Sequence, residues 1–173
     1  MKPSVLPYIL IASLSLLFVN GASAQSAGAA AALFKAHEEV TTEPDRAAAI
    51  INSAAGVSVS ISPGNSVRRR MSGVLQYAVM HPFSVEIYRI IEGSGTLVTG
   101  GLLNLPPANP IDGDIVRTEH GTEGGTARQA KEGDVLVLQP GTPHWFSQID
   151  GKSITYVESR VRIITAPVRY QRF

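Results

Sequence analysis

Cysteine is absent from the 173-residue chain, which excludes a disulfide framework, a thiolate metal site and a cysteine nucleophile together. Charge is scarce as well. Lys and Arg number 15 against 14 Asp and Glu, 17% of all residues, for a formal net charge of +1. Such a chain generates too weak a field to gather phosphates, and its one dense basic run is Arg68-Arg69-Arg70, so nucleic acid is not expected as a partner. Long apolar runs are limited to one, Val5 to Val19, shorter than the roughly 20 residues that span a bilayer. It follows Lys2 and precedes Ala22-Ser23-Ala24, the small-residue pattern of a signal-peptidase site. A cleaved signal peptide over 1–24 is therefore expected, and with it a secreted or periplasmic protein that leaves the membrane after cleavage. Loss of Lys2 leaves basic and acidic residues equal in number, and the 44% hydrophobic share still suffices for one buried core.

Two unequal parts follow. Over 25–55, Ala29 to Lys35 and Pro44 to Ile51 are rich in helix formers, with Thr42 and Pro44 placed as at a helix start; the expectation is two short helices, or a frayed tail and one helix. From Val57 the pattern changes to short β-branched runs cut by Gly and Pro: Val57 to Ile61, Val74 to Val79, Val85 to Ile91, Thr96 to Val98, Val135 to Leu138, Trp145 to Ile149, Ser153 to Glu158 and Val161 to Thr165. Several alternate with period two, which points to an all-β sandwich or barrel over 56–166, with 167–173 as a C-terminal tail. Within it, 103–128 is rich in Pro, Asn, Asp, Gly and Thr and is expected to form a long loop at the barrel mouth.

The chemistry concentrates in two stretches. Gly73, Val79, His81, Glu86 and Gly93 stand in the spacing G-x5-V-x-H-x4-E-x6-G, and Gly133, Pro140, Gly141, His144 and Gln148 form a second set. Together they resemble the two motifs of the cupin superfamily, and the stretches Glu92 to Gly101 and Gly133 to Ser147 are similar to those of small exported single-domain cupins. The resemblance implies a double-stranded β-helix, the cupin or jelly-roll barrel, behind a short helical extension. It also implies that His81, Glu86 and His144 ligate a divalent transition metal, with Val79 in place of a first motif histidine, Gln139 in place of the second motif's proline and Gln148 in place of its asparagine. Two imidazoles and one carboxylate leave coordination positions open for water, substrate or dioxygen, and without sulfur Fe, Mn, Ni, Zn and Cu(II) all suit the set.

Period two places Tyr77 and Val79 on the face of His81, Tyr88 and Ile90 on that of Glu86, and Phe146 and Gln148 on that of His144. Tyr77, Tyr88, Phe146 and Gln148 are accordingly the expected substrate contacts, and Glu86 or Tyr88 the group that moves a proton. His37, beside Glu38 and Glu39, reads as structural, His120 as an exposed loop residue, and Arg68 to Arg70 as a solvated strand edge or as partners of acidic residues. Three functions stay open: a metal-dependent enzyme of dioxygenase, isomerase or lyase type acting on a small organic molecule; a non-catalytic cupin that binds a sugar or other small molecule; and a metal-free isomerase or epimerase using His81 or His144 as base and a tyrosine as acid. A homodimer is compatible with each.

Overall fold

The structure, a computed structural model, describes residues 32–51, 55–108 and 113–163. The expected signal peptide, the 167–173 tail and Ala29 to Ala31 lie outside the described residues. By its contacts the chain divides into Met1–Ala32 and Leu33–Phe173, and the second unit holds every element below. These are α1 (His37–Ile51), β1 (Gly56–Ser62), β2 (Asn65–Met71), β3 (Ala78–Met80), β4 (Ser84–Glu92), β5 (Ser94–Thr99), β6 (Leu102–Leu103), β7 (Val116–Thr118), β8 (Thr122–Glu123), β9 (Thr126–Lys131), β10 (Val135–Leu138), β11 (His144–Ile149) and β12 (Ser153–Arg162).

The strands form two five-stranded antiparallel sheets, ordered β1-β2-β12-β4-β10 and β7-β3-β11-β5-β9, with β6 and β8 as a separate pair. This is the jelly-roll architecture expected from the sequence: β2 to β5 and β9 to β12 alternate between the two layers, so each layer buries one face of its strands. Inward side chains of β4 and β12, namely Tyr88, Ile90, Ile154 and Tyr156, meet Leu97 of β5, Ala130 of β9 and Phe146 of β11 in the core. Ile90, Leu97 and Ile154 are fully enclosed, each contributing about 1.5–3 kcal/mol relative to an exposed side chain. Gly93 joins β4 to β5 at φ +78°, and a Cβ there would stand 2.4 Å from the Ser153 carbonyl oxygen; only glycine makes this turn without displacing β12.

Several boundaries differ from expectation for local reasons. β3 begins at Ala78, not Val74, because Met71 to Tyr77 turns the chain and the Gln76 amide donates to the carbonyls of Met71 and Val74. Ser153 to Arg162 is one strand where two were expected. Arg68 to Arg70, expected as a solvated strand edge or as partners of acidic residues, belong to β2, which lies inside its sheet between β1 and β12, and Arg68 and Arg69 pair with Glu158, Asp45 and Glu92. The expected structureless loop over 103–128 carries β7, β8 and the start of β9; strands two or three residues long are too short to show periodicity.

Among the described residues one helix stands where one or two were expected. It starts at His37 and runs through Thr42 and Pro44 instead of starting there. Proline at an interior position removes one intrahelical donor, and the preceding Thr41 and Thr42 hydroxyls donate to the carbonyls of His37 and Glu38. The helix is held to the outer face of the first sheet by Arg69, which pairs with Asp45 and, at 3.1 Å, with Glu92. Pro44 of the helix is buried, as are Val57, Val67 and Thr155 of the sheet beneath it.

Candidate functional site

Strand alternation turns Glu86 and Tyr88 of β4 inward, and antiparallel register sets Arg160 opposite Glu86 and Glu158 opposite Tyr88. His144 opens β11 beside Val79 of β3, and His81 follows β3 by one residue. The three residues that the motif spacing singled out converge: His81 Nε2 is 3.5 Å from Glu86 Oε1, and His144 Nε2 is 3.3 Å from Glu86 Oε2. All three are buried, with 3%, 1% and 2% exposure for His81, Glu86 and His144.

Each imidazole is oriented from behind. His81 Nδ1 contacts the Asp114 carbonyl oxygen, and His144 Nδ1 lies 3.0 Å from that of Thr142. A carbonyl only accepts, so both Nδ1 atoms carry the proton and both Nε2 atoms present a lone pair. Asp114 also accepts the Phe83 N–H at 2.7 Å and the Ser84 hydroxyl, so the segment before β7 is clamped onto His81. Gly141, at φ +77°, donates its N–H to the His81 carbonyl at 2.9 Å, which joins the turn before His144 to the other histidine.

The donors have protein partners as well. Arg160 Nε and Nη2 donate to Glu86 Oε1 at 3.2 and 3.1 Å, and Arg160 Nη2 also reaches Glu158 at 2.7 Å. Arg68 completes the row, its Nε 2.7 Å from Glu158 Oε2. The Tyr88 hydroxyl donates to His144 Nε2 at 2.9 Å. Among the described residues no three of His, Cys, Asp and Glu are laid out as a ready coordination shell. The three donors share one place, but Tyr88 and Arg160 occupy the directions that an ion would need.

Burial sets the protonation states. It lowers His81 and His144 to about 4 each, with Arg160 adding to the effect at both. The same desolvation, reinforced by Glu158 and opposed by Arg160, raises Glu86 to about 7. The enclosed Tyr88 phenol is pushed far above its ordinary value, first by burial. Two neutral imidazoles whose lone pairs face one carboxylate form an N,N,O donor set that suits a divalent transition metal. The 3.5 and 3.3 Å separations run to the two different oxygens of Glu86 and are near the roughly 3.4 Å between ligands about 2.1 Å from one ion at tetrahedral angles, while the two imidazole centroids stand 6.2 Å apart.

The site opens on a cavity of about 280 Å³, near the lower end of the roughly 300–1,000 Å³ usual for small-molecule sites. Tyr77, Tyr88 and Phe146 line it as expected. Gln148 does not. A β-bulge between Phe146 and Gln148 breaks the alternation of β11 and turns Gln148 outward, where its amide donates to Asp150 at 3.1 Å. Tyr77 stands at the rim, donating to Glu119 at 2.8 Å with Arg117 over its ring. His120 and His37 are exposed and line no part of this cavity. Arg68, Arg70, Glu158 and Arg160 do line it. Of these the sequence reading gave only the pairing of the arginine run with acidic residues. The signal for the rest was present as two i, i+2 pairs of charged residues in strands, Arg68 with Arg70 and Glu158 with Arg160.

No protein-family model and no curated protein matches the sequence. Among solved structures, the chain is similar to a DMSP lyase from Ruegeria pomeroyi, with 24% identity over 60% of this chain and 41% of that one at a TM-score of 0.38. It is also similar to the Drosophila melanogaster CENP-C cupin domain, with 13% identity over 57% and 60% of the two chains at 0.38. A third is a cupin protein from Bacteroides fragilis, with 16% identity over 62% and 73% at 0.37. The matched part spans less than two thirds of the lyase and of the Drosophila domain. The two facing antiparallel sheets and the strand order described above form a jelly-roll barrel, the architecture that the motif resemblance implied.

Proposed function

We propose that this protein binds a small organic molecule in the barrel cavity beside a divalent transition metal held by His81, Glu86 and His144. The observation that carries the reading is the shared orientation of the imidazoles: each gives its Nδ1 proton to a backbone carbonyl and turns its Nε2 onto the same buried carboxylate. A metal bound there supplies Lewis-acid polarisation of a ligand oxygen or an acidified water. The chain's own groups do the rest. The Asp114 and Thr142 carbonyls hold the imidazole tautomers, Arg160 fixes Glu86, and Leu97, Phe146 and Tyr156 form the apolar wall that limits water. Export is proposed on the signal-like pattern of residues 1–24.

The test is metal analysis of untagged protein loaded in turn with Fe, Mn, Ni and Zn, repeated on His144→Ala and Glu86→Gln. The expected result is about one equivalent in the wild type for at least one metal and loss in both variants. Substoichiometric metal in the wild type under every condition overturns the reading. A second reading is favoured by the Tyr88 hydroxyl donating to His144 Nε2 at 2.9 Å. In it the site works without metal, with His144 as base and Tyr88 as acid. It predicts pH-dependent turnover or binding in chelator-treated protein that is lost in Tyr88→Phe.

A further inference from the structure

In the inner ion network every arginine but one has a carboxylate partner among the described residues. Arg160 and Arg68 are matched by Glu86 and Glu158 in a continuous row. Arg70, two residues along β2 on the same inner face, also lines the cavity, and among the described residues no carboxylate stands within ion-pair reach of it. Its one hydrogen bond is a long 3.5 Å contact from Nε to the Tyr156 hydroxyl. A half-buried guanidinium in a cavity of this size is costly without an acceptor. A divalent ion at His81, Glu86 and His144 would add further positive charge and increase the demand for an anion.

We propose that the cavity takes a small monocarboxylate, with its carboxylate paired to Arg70 and its apolar body against Leu97 and Phe146. The guanidinium fork matches a carboxylate with two parallel hydrogen bonds, and a single negative charge gives Arg70 the partner that Arg68 and Arg160 already have. Leu97 and Phe146 are buried core residues that also face the cavity, so the body of the ligand continues the apolar packing. This deepens the proposed function and rests on its reading of the cavity as a small-molecule site.

The probes are benzoate and hexanoate, each beside its neutral amide, titrated calorimetrically into wild type, Arg70→Gln and Arg70→Lys, with thermal melts and metal content recorded for every protein. The wild type is expected to prefer each acid over its amide by about tenfold or more. Arg70→Gln is expected to lose that preference and Arg70→Lys to recover part of it, with metal content unchanged in both. Failure of both acids to bind more tightly than their amides, or a preference that survives in a folded Arg70→Gln, overturns the proposal. Inorganic phosphate competing as well as benzoate overturns the choice of a carboxylate. Acid binding through Arg70 in a wild type that takes no metal supports the subsite while defeating the metal reading, so the two fail separately.

Discussion

The inner faces of β4 and β12 carry two different interiors along their length. At one end Ile90 lies among Ile154, Tyr156 and Leu97 with no charge in the cluster. At the other, a few residues along the same strands, Glu86, Glu158 and Arg160 form a buried ionic row with Arg68. Antiparallel register makes the division sharp, since the apolar end of β4 meets the apolar end of β12 and Glu86 meets Arg160 directly. The apolar end gains free energy with every contact, whereas the ionic end spends most of its Coulombic gain on desolvation. One end therefore anchors the barrel, and the other is tolerated for what it can bind.

Truncation at the apolar end should have the largest effect. Leu97→Ala is expected to destabilise the protein by about 3 kcal/mol in urea unfolding. At the ionic end, Glu158→Gln leaves Arg68 and Arg160 without their shared carboxylate, and a loss of about 2 kcal/mol is expected, reduced by the partial exposure of both arginines. If the second loss exceeds the first, the division of labour is wrong.

The pH dependence of stability tests the ionic end without altering its packing. In chelator-treated protein, an unfolded histidine takes a proton near 6.5 whereas folded His81 and His144 wait until about 4, so stability falls as the pH drops across that interval. Folded Glu86 keeps its proton up to about 7 against 4.5 when unfolded, so its share of stability is present below 4.5 and lost as the pH rises through 7. The two trends oppose each other between 4.5 and 6.5. Glu86→Gln removes one of them, and its melting temperature should climb more steeply with pH across that window than that of the wild type; an unchanged slope contradicts the protonation states given above.

Smaller effects sharpen the boundary of the site. Asp114→Ala releases the Phe83 N–H and the Ser84 hydroxyl, and through the loosened His81 it should weaken metal binding about tenfold with a modest change in melting temperature. Gln148→Ala, outside the cavity, should leave both metal content and benzoate affinity unaltered. A measurable change in either would return Gln148 to the ligand contacts from which the bulge removes it.

The sequence was most legible where spacing carried it. His81, Glu86 and His144 stood in register with two motifs, and the structure brings them within a few ångströms of one another. The alternation that gave Tyr88 and Phe146 failed at Gln148, because a bulge is fixed by the partner strand and leaves no local mark. Arg70, Glu158 and Arg160 were missed for a different reason. Their role depends on which strands become neighbours, and β2 and β12 are far apart in the chain. The Arg68-Arg69-Arg70 run also hid its own division: Arg68 and Arg70 face the cavity, while Arg69 faces the helix. Three identical residues in sequence thus serve two sides of one sheet, which composition does not reveal.

The hydrogen bond from Tyr88 to His144 sets an upper limit on metal affinity. Nε2 has one lone pair, which accepts either the phenol proton or an ion, so metal entry must release the Tyr88 hydroxyl inside an enclosed core. A buried hydroxyl without an acceptor costs about 1–3 kcal/mol, which is subtracted from the binding free energy of any ion that takes His144. The released phenol would also make occupancy visible, because an ion at this position changes the near-ultraviolet signal of one identifiable tyrosine, and Tyr88→Phe should bind metal more tightly than the wild type.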